Sequence, residues 1–408
     1  MRPSEPFVTE FLTNGKWKNI TSDQVNREIY PFGTYSYLIQ LCIVFLITDI
    51  LRYKPIIIAS SCVGLILWSL LLWTTGMTGM YLVQICYGFF MASEVAYYTY
   101  IYAKISKENY QKATGYTRAS LLSGKALGCV LAQIFISQNL LNERDLNYIS
   151  LGAQGVSFIV AIFLPSVSVS LYMWKIDKND NDLENENFQN SQKEAKPKLS
   201  FKRASKLLWI HFKESYSNRT VLIWSLWWAA NTTGFYLIIN YIQLLWQQVD
   251  QEKENYFNGY VEFLITTFGS ITATIAGYSF KNSFAKYDMY LLTLCSLLQG
   301  GFTIIAAKTQ SIWVCYAMYI LTGSVYHFII TLVTAFVAKF LSDDSFALVF
   351  GINTLIALVA QTIFTVVFVT ETASFSLDPR QQFMVFGFYF IVLFAIFLIF
   401  SVVKFFRK

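Results

Sequence analysis

The sequence predicts an all-α, polytopic membrane protein, and three observations carry that prediction. Apolar residues make up 55% of the chain and charged residues 14%, whereas a soluble domain needs a charged share of roughly a quarter. The apolar residues fall in long runs, each near the ~20 residues that cross a bilayer core. The Lys and Arg residues sit in short loops between these runs, so the net charge of +6 reads as membrane topology rather than a nucleic-acid footprint.

Spans are expected at 33–51, 55–75, 79–103, 113–137, 149–173, 221–246, 257–279, 287–307, 311–338, 346–369 and 382–403. Each must be helical, because unpaired backbone groups in lipid cost several kcal/mol apiece. All six cysteines (Cys42, Cys62, Cys86, Cys129, Cys295, Cys315) lie inside apolar runs and read as small core residues, not a disulfide framework. Arg52 and Lys54, Lys104 to Arg118, Lys281 and Lys286, and the tail Lys404–Lys408 fall on one side of the membrane. Asp250, Glu252, Glu254, Glu371 and Asp378 fall on the other. Excess Lys and Arg mark the cytoplasm, which puts the C-terminus inside and the acidic loops outside, as for a multi-pass protein of the plasma membrane. Asn19-Ile20-Thr21 is a glycosylation triplet on the outer side.

A polar stretch from about Lys175 to Lys206, poor in hydrophobic residues, reads as a disordered cytoplasmic linker. After it, Leu207, Leu208, Ile210 and Phe212 alternate with Lys202, Arg203, Lys206 and Lys213, the pattern of a basic amphipathic helix on the inner membrane surface. The expected organisation is an N-terminal helical half (1–174), a linker with that helix (175–220) and a C-terminal six-helix half (221–408). Two halves joined by a cytoplasmic linker are the plan of the major facilitator fold, with substrate bound between them. That plan has twelve helices; about eleven are expected here, the deficit lying at the N-terminus.

Ionisable groups inside the spans cost at least a few kcal/mol unless they face a cavity or a partner, so they are the first candidates for a site. Glu94 lies deep in an apolar run, with Tyr97, Tyr98 and Ile101 on its face at helical spacing. A carboxylate beside two tyrosines suits a flat cation, through charge pairing and ring contact. The plain alternative is a packing carboxylate, neutralised by protonation or by Arg118. Glu262 opens a later span, with Thr266 one turn on, close enough to the outer interface to be simply solvated. Asn240 and Gln243 share a face with Tyr236, and Thr354, Gln361 and Thr365 form a polar stripe; amides of this kind also serve helix packing alone. Lys125, two turns deeper than Arg118, either pairs with Glu94 or contributes to an anion site. Only two histidines are present, His211 and His327, neither at metal-ligand spacing, and no phosphate loop or nucleophile elbow occurs. No enzyme, metal or cofactor is expected. No ring of charges suggests a channel.

Several motifs resemble the reduced folate and thiamine carriers, solute carrier family 19. They are Arg2-Pro3-Ser4-Glu5-Pro6-Phe7, Tyr35-Ser36-Tyr37-Leu38, Thr48–Pro55, Glu94–Tyr102, Trp224–Ala229 and Ala347–Thr354. The resemblance runs from Arg2 to the last span and implies a central cavity open alternately to either side. It also implies a first helix upstream of Arg2, most of which the 408 residues lack. The folate members have arginine where this chain has Glu94, lysine at Gln361 and a third basic residue at Gly323. Folates are dianions that need those cations, and thiamine is a cation that needs carboxylates. The resemblance therefore implies a thiamine or similar vitamin cation, held by Glu5, Tyr30, Glu94, Tyr97, Asn240 and Glu262. Phe32, Tyr98, Lys125, Tyr236 and Gln361 are further cavity candidates. Phe32 enters as a stand-in for a ring-stacking tryptophan that the thiamine carriers place where Gly33 stands here. Asp49 and Arg52 belong to an inner loop gate. Two alternatives stay open: a folate or other organic-anion carrier using Lys125 and Arg118, and a truncated membrane protein that binds without transporting.

Overall fold

The computed structural model describes residues 1–104, 110–167, 174–175, 198–199, 201–250, 257–279, 288–338, 340–341, 346–370 and 377–406. Each of the expected apolar runs coincides with helix. After a 3-10 turn at Glu5–Phe7 comes a short helix α1, Val8–Thr13. A turn at Ser22–Gln24, closed by reciprocal bonds between Thr21 and Gln24, continues through a π-turn at Val25–Ile29 into α2, Tyr30–Ile50. Next come α3 (Lys54–Trp73), α4 (Gly76–Ala92), α5 (Glu94–Lys104), α6 (Tyr110–Ser137) and α7 (Glu143–Phe163). The surface helix α8, Phe201–Ser217, leads into α9 (Arg219–Val249), α10 (Asn258–Ser279), α11 (Asp288–Lys308), α12 (Ile312–Ala338), α13 (Phe346–Phe368) and α14 (Pro379–Phe406).

Local chemistry explains where the elements start and stop. Pro55 and Pro379 each stand in a first helical turn, where a missing N–H leaves no bond unmade, and Pro31 follows the π-turn that precedes α2. Asn142 caps α7 through the N–H groups of Arg144 and Asp145, and Asp145 bonds back to Asn142. That reciprocal cap starts the helix at 143 rather than the expected 149. Its end at Phe163, ten residues short of expectation, follows from Pro165, which disfavours helical backbone at the residue before it. The other departure is within 79–103, where the run is two helices meeting at Ser93. The Lys175–Lys206 linker expectation falls mostly outside the described residues. At its ends, Trp174–Lys175 pairs antiparallel with Lys198–Leu199.

The helices pack in two groups. In the first, α2 lies on α4, and α3 on α4 and α7. In the second, α11 lies on α14 and α12, α10 on α12, and α9 on α12, α13 and α14, with Trp227, Leu237, Tyr241 and Leu245 fully buried. The groups meet along two seams, α6 against α10 and α2 against α13. Gly88 lets α4 approach α2 closely: a Cβ there would lie 2.7 Å from the Ser36 carbonyl carbon.

Among the described residues, eight helices are long and apolar enough to cross a membrane by themselves. The broken pair α4–α5, together with α9 and α10, falls short of that measure. These carry Glu94, Asn240 and Glu262, whose polarity lowers the hydropathy of their helices.

Candidate substrate cavity

The break at Ser93 makes Glu94 the first residue of α5, where the helix N-terminus favours a carboxylate. Glu94 is exposed although it lies deep within the span. It stands within electrostatic reach of Arg2, of Tyr37 on α2, of Tyr87 on α4 and of Tyr236 on α9. Groups from both halves of the chain therefore lie near it, which makes its surroundings the candidate substrate site. Tyr97, one turn on, is also exposed. The Tyr98 and Arg118 side chains lie outside the described residues. Tyr236 packs against two apolar clusters, each of which draws residues from both groups, and so stands at their junction.

Glu262 on α10 is buried, not solvated. Its Oε2 is 2.9 Å from Lys125 Nζ on α6, and its Oε1 accepts a 2.8 Å bond from the Tyr319 hydroxyl of α12. Lys125 thus pairs with Glu262 across the seam, a partner the sequence had not offered: the expectation was Glu94 or an anion site, and the packing of α6 on α10 brings Glu262 within reach instead. Glu5 pairs with Arg2 at 2.9 Å, and the Arg2 guanidinium lies 5.4 Å from the centre of the Phe90 ring. Tyr87 lies within electrostatic reach of Glu5, Arg2, Lys125 and Glu94 together. Among the described side chains, three carboxylates (Glu5, Glu94, Glu262) and two cations (Arg2, Lys125) gather around Tyr87 and Cys129, a formal charge of one net negative.

The N-terminal segment is bonded to the second group. Gln243 donates to the Glu5 carbonyl at 3.1 Å and accepts from the Thr9 N–H at 3.2 Å. Gln247 donates to Thr13 at 3.0 Å, and Asn258 donates to Glu10 at 3.0 Å. The Gly259 N–H donates to Gln133 of α6 at 2.9 Å. Tyr30 joins this layer by a 2.6 Å bond to Thr9 and an edge contact with Tyr241.

The remaining candidates are dispersed. Asn240 is half-buried beside Tyr236 and has no side-chain hydrogen bond among the described residues. Phe32 tilts against Tyr81, ring centres 4.9 Å apart, and the place of a side chain at Gly33 is taken by the Gln84 carboxamide. Gln361 is buried in α13, its carbonyl oxygen without a hydrogen-bond partner among the described residues. Asp49 accepts a 2.6 Å bond from buried Tyr53 at the inner turn, where Arg52 and Tyr53 both take positive φ. Asn19 is exposed in the loop between α1 and α2. At Gly323 a Cβ would meet the Ile265 side chain, so the basic residue of the folate members has no room there. Arg2, Tyr37, Tyr87 and Tyr319 had not been singled out. For Arg2 the signal was the Arg-x-x-Glu spacing to Glu5; for the tyrosines it lies only in the packing.

The family model described as reduced folate carrier matches residues 1–385. The chain is 36% identical to thiamine transporter 1 of Mus musculus, covering 100% of this chain and 88% of the relative. It is 35% identical to folate transporter 1 of Caenorhabditis elegans, covering 100% and 90%. Among solved structures it is similar to the nucleoside transporter NupG, with a TM-score of 0.58 at 12% identity over 97% of each chain. That likeness supports the major facilitator fold, and the relatives are membrane transporters rather than enzymes. Two packed helix groups with a charged cluster at their junction fit a transmembrane transporter, and this chain belongs to the reduced folate carrier family.

Proposed function

We propose that this chain carries thiamine, or a vitamin cation of the same kind, across the plasma membrane by alternating access. The observation that carries the reading is the cavity charge: three carboxylates against two cations, each of those cations already paired to a carboxylate. A monocation neutralises such a cavity, whereas a folate dianion would meet Glu94 and find Arg2 and Lys125 engaged. The thiamine transporters among the relatives support the same substrate. In this reading Glu94 and Glu262 hold the charge, Tyr97 and Tyr236 flank the ring, and Asn240 donates or accepts hydrogen bonds. Glu5 and Tyr30 close the outer end, and Asp49 and Arg52 act at the inner gate. The halves 1–174 and 221–408 rock about the seams α6–α10 and α2–α13. The C-terminus lies in the cytoplasm, and Asn19 carries a glycan outside. The test is uptake of labelled thiamine by cells expressing the chain, with unlabelled thiamine or reduced folate as competitor. Competition by thiamine alone supports the reading. Competition by folate alone transfers the site to an anion and makes Lys125 and Arg2 its binding groups.

A further inference from the structure

Lys125 is the feature that a cation-binding cavity has least need of. It is a second-layer cation on α6, 41% exposed at its side chain, paired with a carboxylate on α10 that is only 11% exposed. Glu262 is otherwise held within its own group, by Tyr319 of α12. The described ligand that reaches it from the first group is the Lys125 ammonium. The pair sits one turn inward of the Gly259–Gln133 bond, and at that crossing a Cβ on Gly259 would lie 2.7 Å from the Cys129 carbonyl oxygen. Opening the outer side means drawing α10 away from α6, and with that seam drawn apart Lys125 and Glu262 separate as well. Separation without replacement leaves a buried carboxylate uncompensated, which is strongly unfavourable.

We propose that Lys125 is a built-in counter-ion: it occupies Glu262 in the empty carrier, latches α6 to α10, and is displaced by the cationic group of the incoming substrate. This rests on the cation reading above. The exposure difference names the partner that moves: the Lys125 side chain is 41% exposed and the Glu262 side chain 11%, so the ammonium is the member of the pair with room to swing aside. Binding and unlatching then become one event, because the ligand supplies the charge that Lys125 withdraws. It also sets specificity: a neutral analogue of the substrate cannot replace Lys125 and leaves the latch closed.

The test uses Cys129, buried on the α6 face at that crossing, as an internal probe. A membrane-impermeant thiol reagent is applied from outside to the full chain in cells, with Cys129→Ser as the control that removes the signal. Lys125→Met is expected to raise the labelling rate on the order of tenfold without any substrate. It is also expected to tighten thiamine binding several-fold, since the internal competitor is gone. Glu262→Gln should raise labelling similarly but weaken thiamine binding. The double exchange Lys125→Glu with Glu262→Lys should return labelling toward the parent rate, which a misfolded single variant would not do. Labelling of Lys125→Met within twofold of the parent overturns the latch, and weaker thiamine binding by that variant overturns the displacement. If labelling rises as expected while the parent chain neither binds nor takes up thiamine, the latch is supported and the thiamine reading is what fails.

Discussion

Replacing Glu94 by Gln removes one formal charge from the cavity while keeping the shape and hydrogen-bonding reach of the side chain. A unit charge pair at ~5 Å is worth about 1–3 kcal/mol for effective dielectric constants between those of water and a protein surface. Glu94 is exposed to the cavity and in part solvated, so the lower part of that range applies, about 1–2 kcal/mol. At about 1.4 kcal/mol per tenfold, KM for thiamine should rise roughly 5- to 30-fold. The fold itself should be unmoved: a solvated carboxylate exchanged for its amide leaves no buried orphan, and such changes stay within about 0.5 kcal/mol. The assay is concentration-dependent uptake of labelled thiamine, normalised to surface protein, beside thermal unfolding of the purified variant. Glu94→Asp keeps the charge but withdraws it by one methylene, so its KM should fall between the two. An unchanged KM for Glu94→Gln, within twofold, would refute the electrostatic basis of the substrate assignment. A lowered melting temperature with unchanged KM would make Glu94 a packing residue.

Other parts of the molecule give equally specific expectations. Gln243→Leu deletes two bonds to the N-terminal segment, worth about 1 kcal/mol each; external labelling of Cys129 should rise and maximal uptake should fall. Gly259→Val sets a side chain 2.7 Å from the Cys129 carbonyl, which prevents outer closure; uptake should drop more than about tenfold, on the arithmetic of a 1–3 kcal/mol clash in the closed state alone, with surface expression retained. Gly323→Arg imitates the folate members but collides with Ile265. It should lower the melting temperature and confer no folate uptake, whereas addition of Ile265→Ala should restore stability.

How much of this was legible in the sequence differs sharply between elements. The spans were readable because hydropathy along one helix is a local quantity, and the run from Ile312 to Ala338 needs no neighbour to be recognised. Glu94 was readable for the same reason, since a charge in an apolar run stands out wherever it points. The start of α7 was also present, in Asn142 and Asp145 at capping-box spacing, but the apolar run beginning at 149 hid it. The break at Ser93 has no Gly or Pro to announce it. The partner of Lys125 was not readable at all: Glu262 lies 137 positions away, and only the packing of α6 on α10 selects it over Glu94. The hold on the N-terminal segment was hidden for a related reason. Gln243 looked like a packing amide, and it is one, but what it packs is the N-terminal segment, which Asn258, not singled out, also holds.

The same contrast explains why a cavity for a cation should contain cations. Three carboxylates gathered in one space would repel one another. Arg2 and Lys125 relieve that repulsion, each against one carboxylate and each differently placed. Arg2 belongs to the N-terminal segment and pairs within that segment, three residues from Glu5, so its pair can survive motion of the halves. Lys125 pairs across the seam, so its pair cannot. An alternating carrier must also cross back empty, and a site built only for its loaded state would be held open by its own charge. Of the two ion pairs, then, the local one sets the net charge of the cavity, and the one across the seam makes closure depend on whether a cation is present.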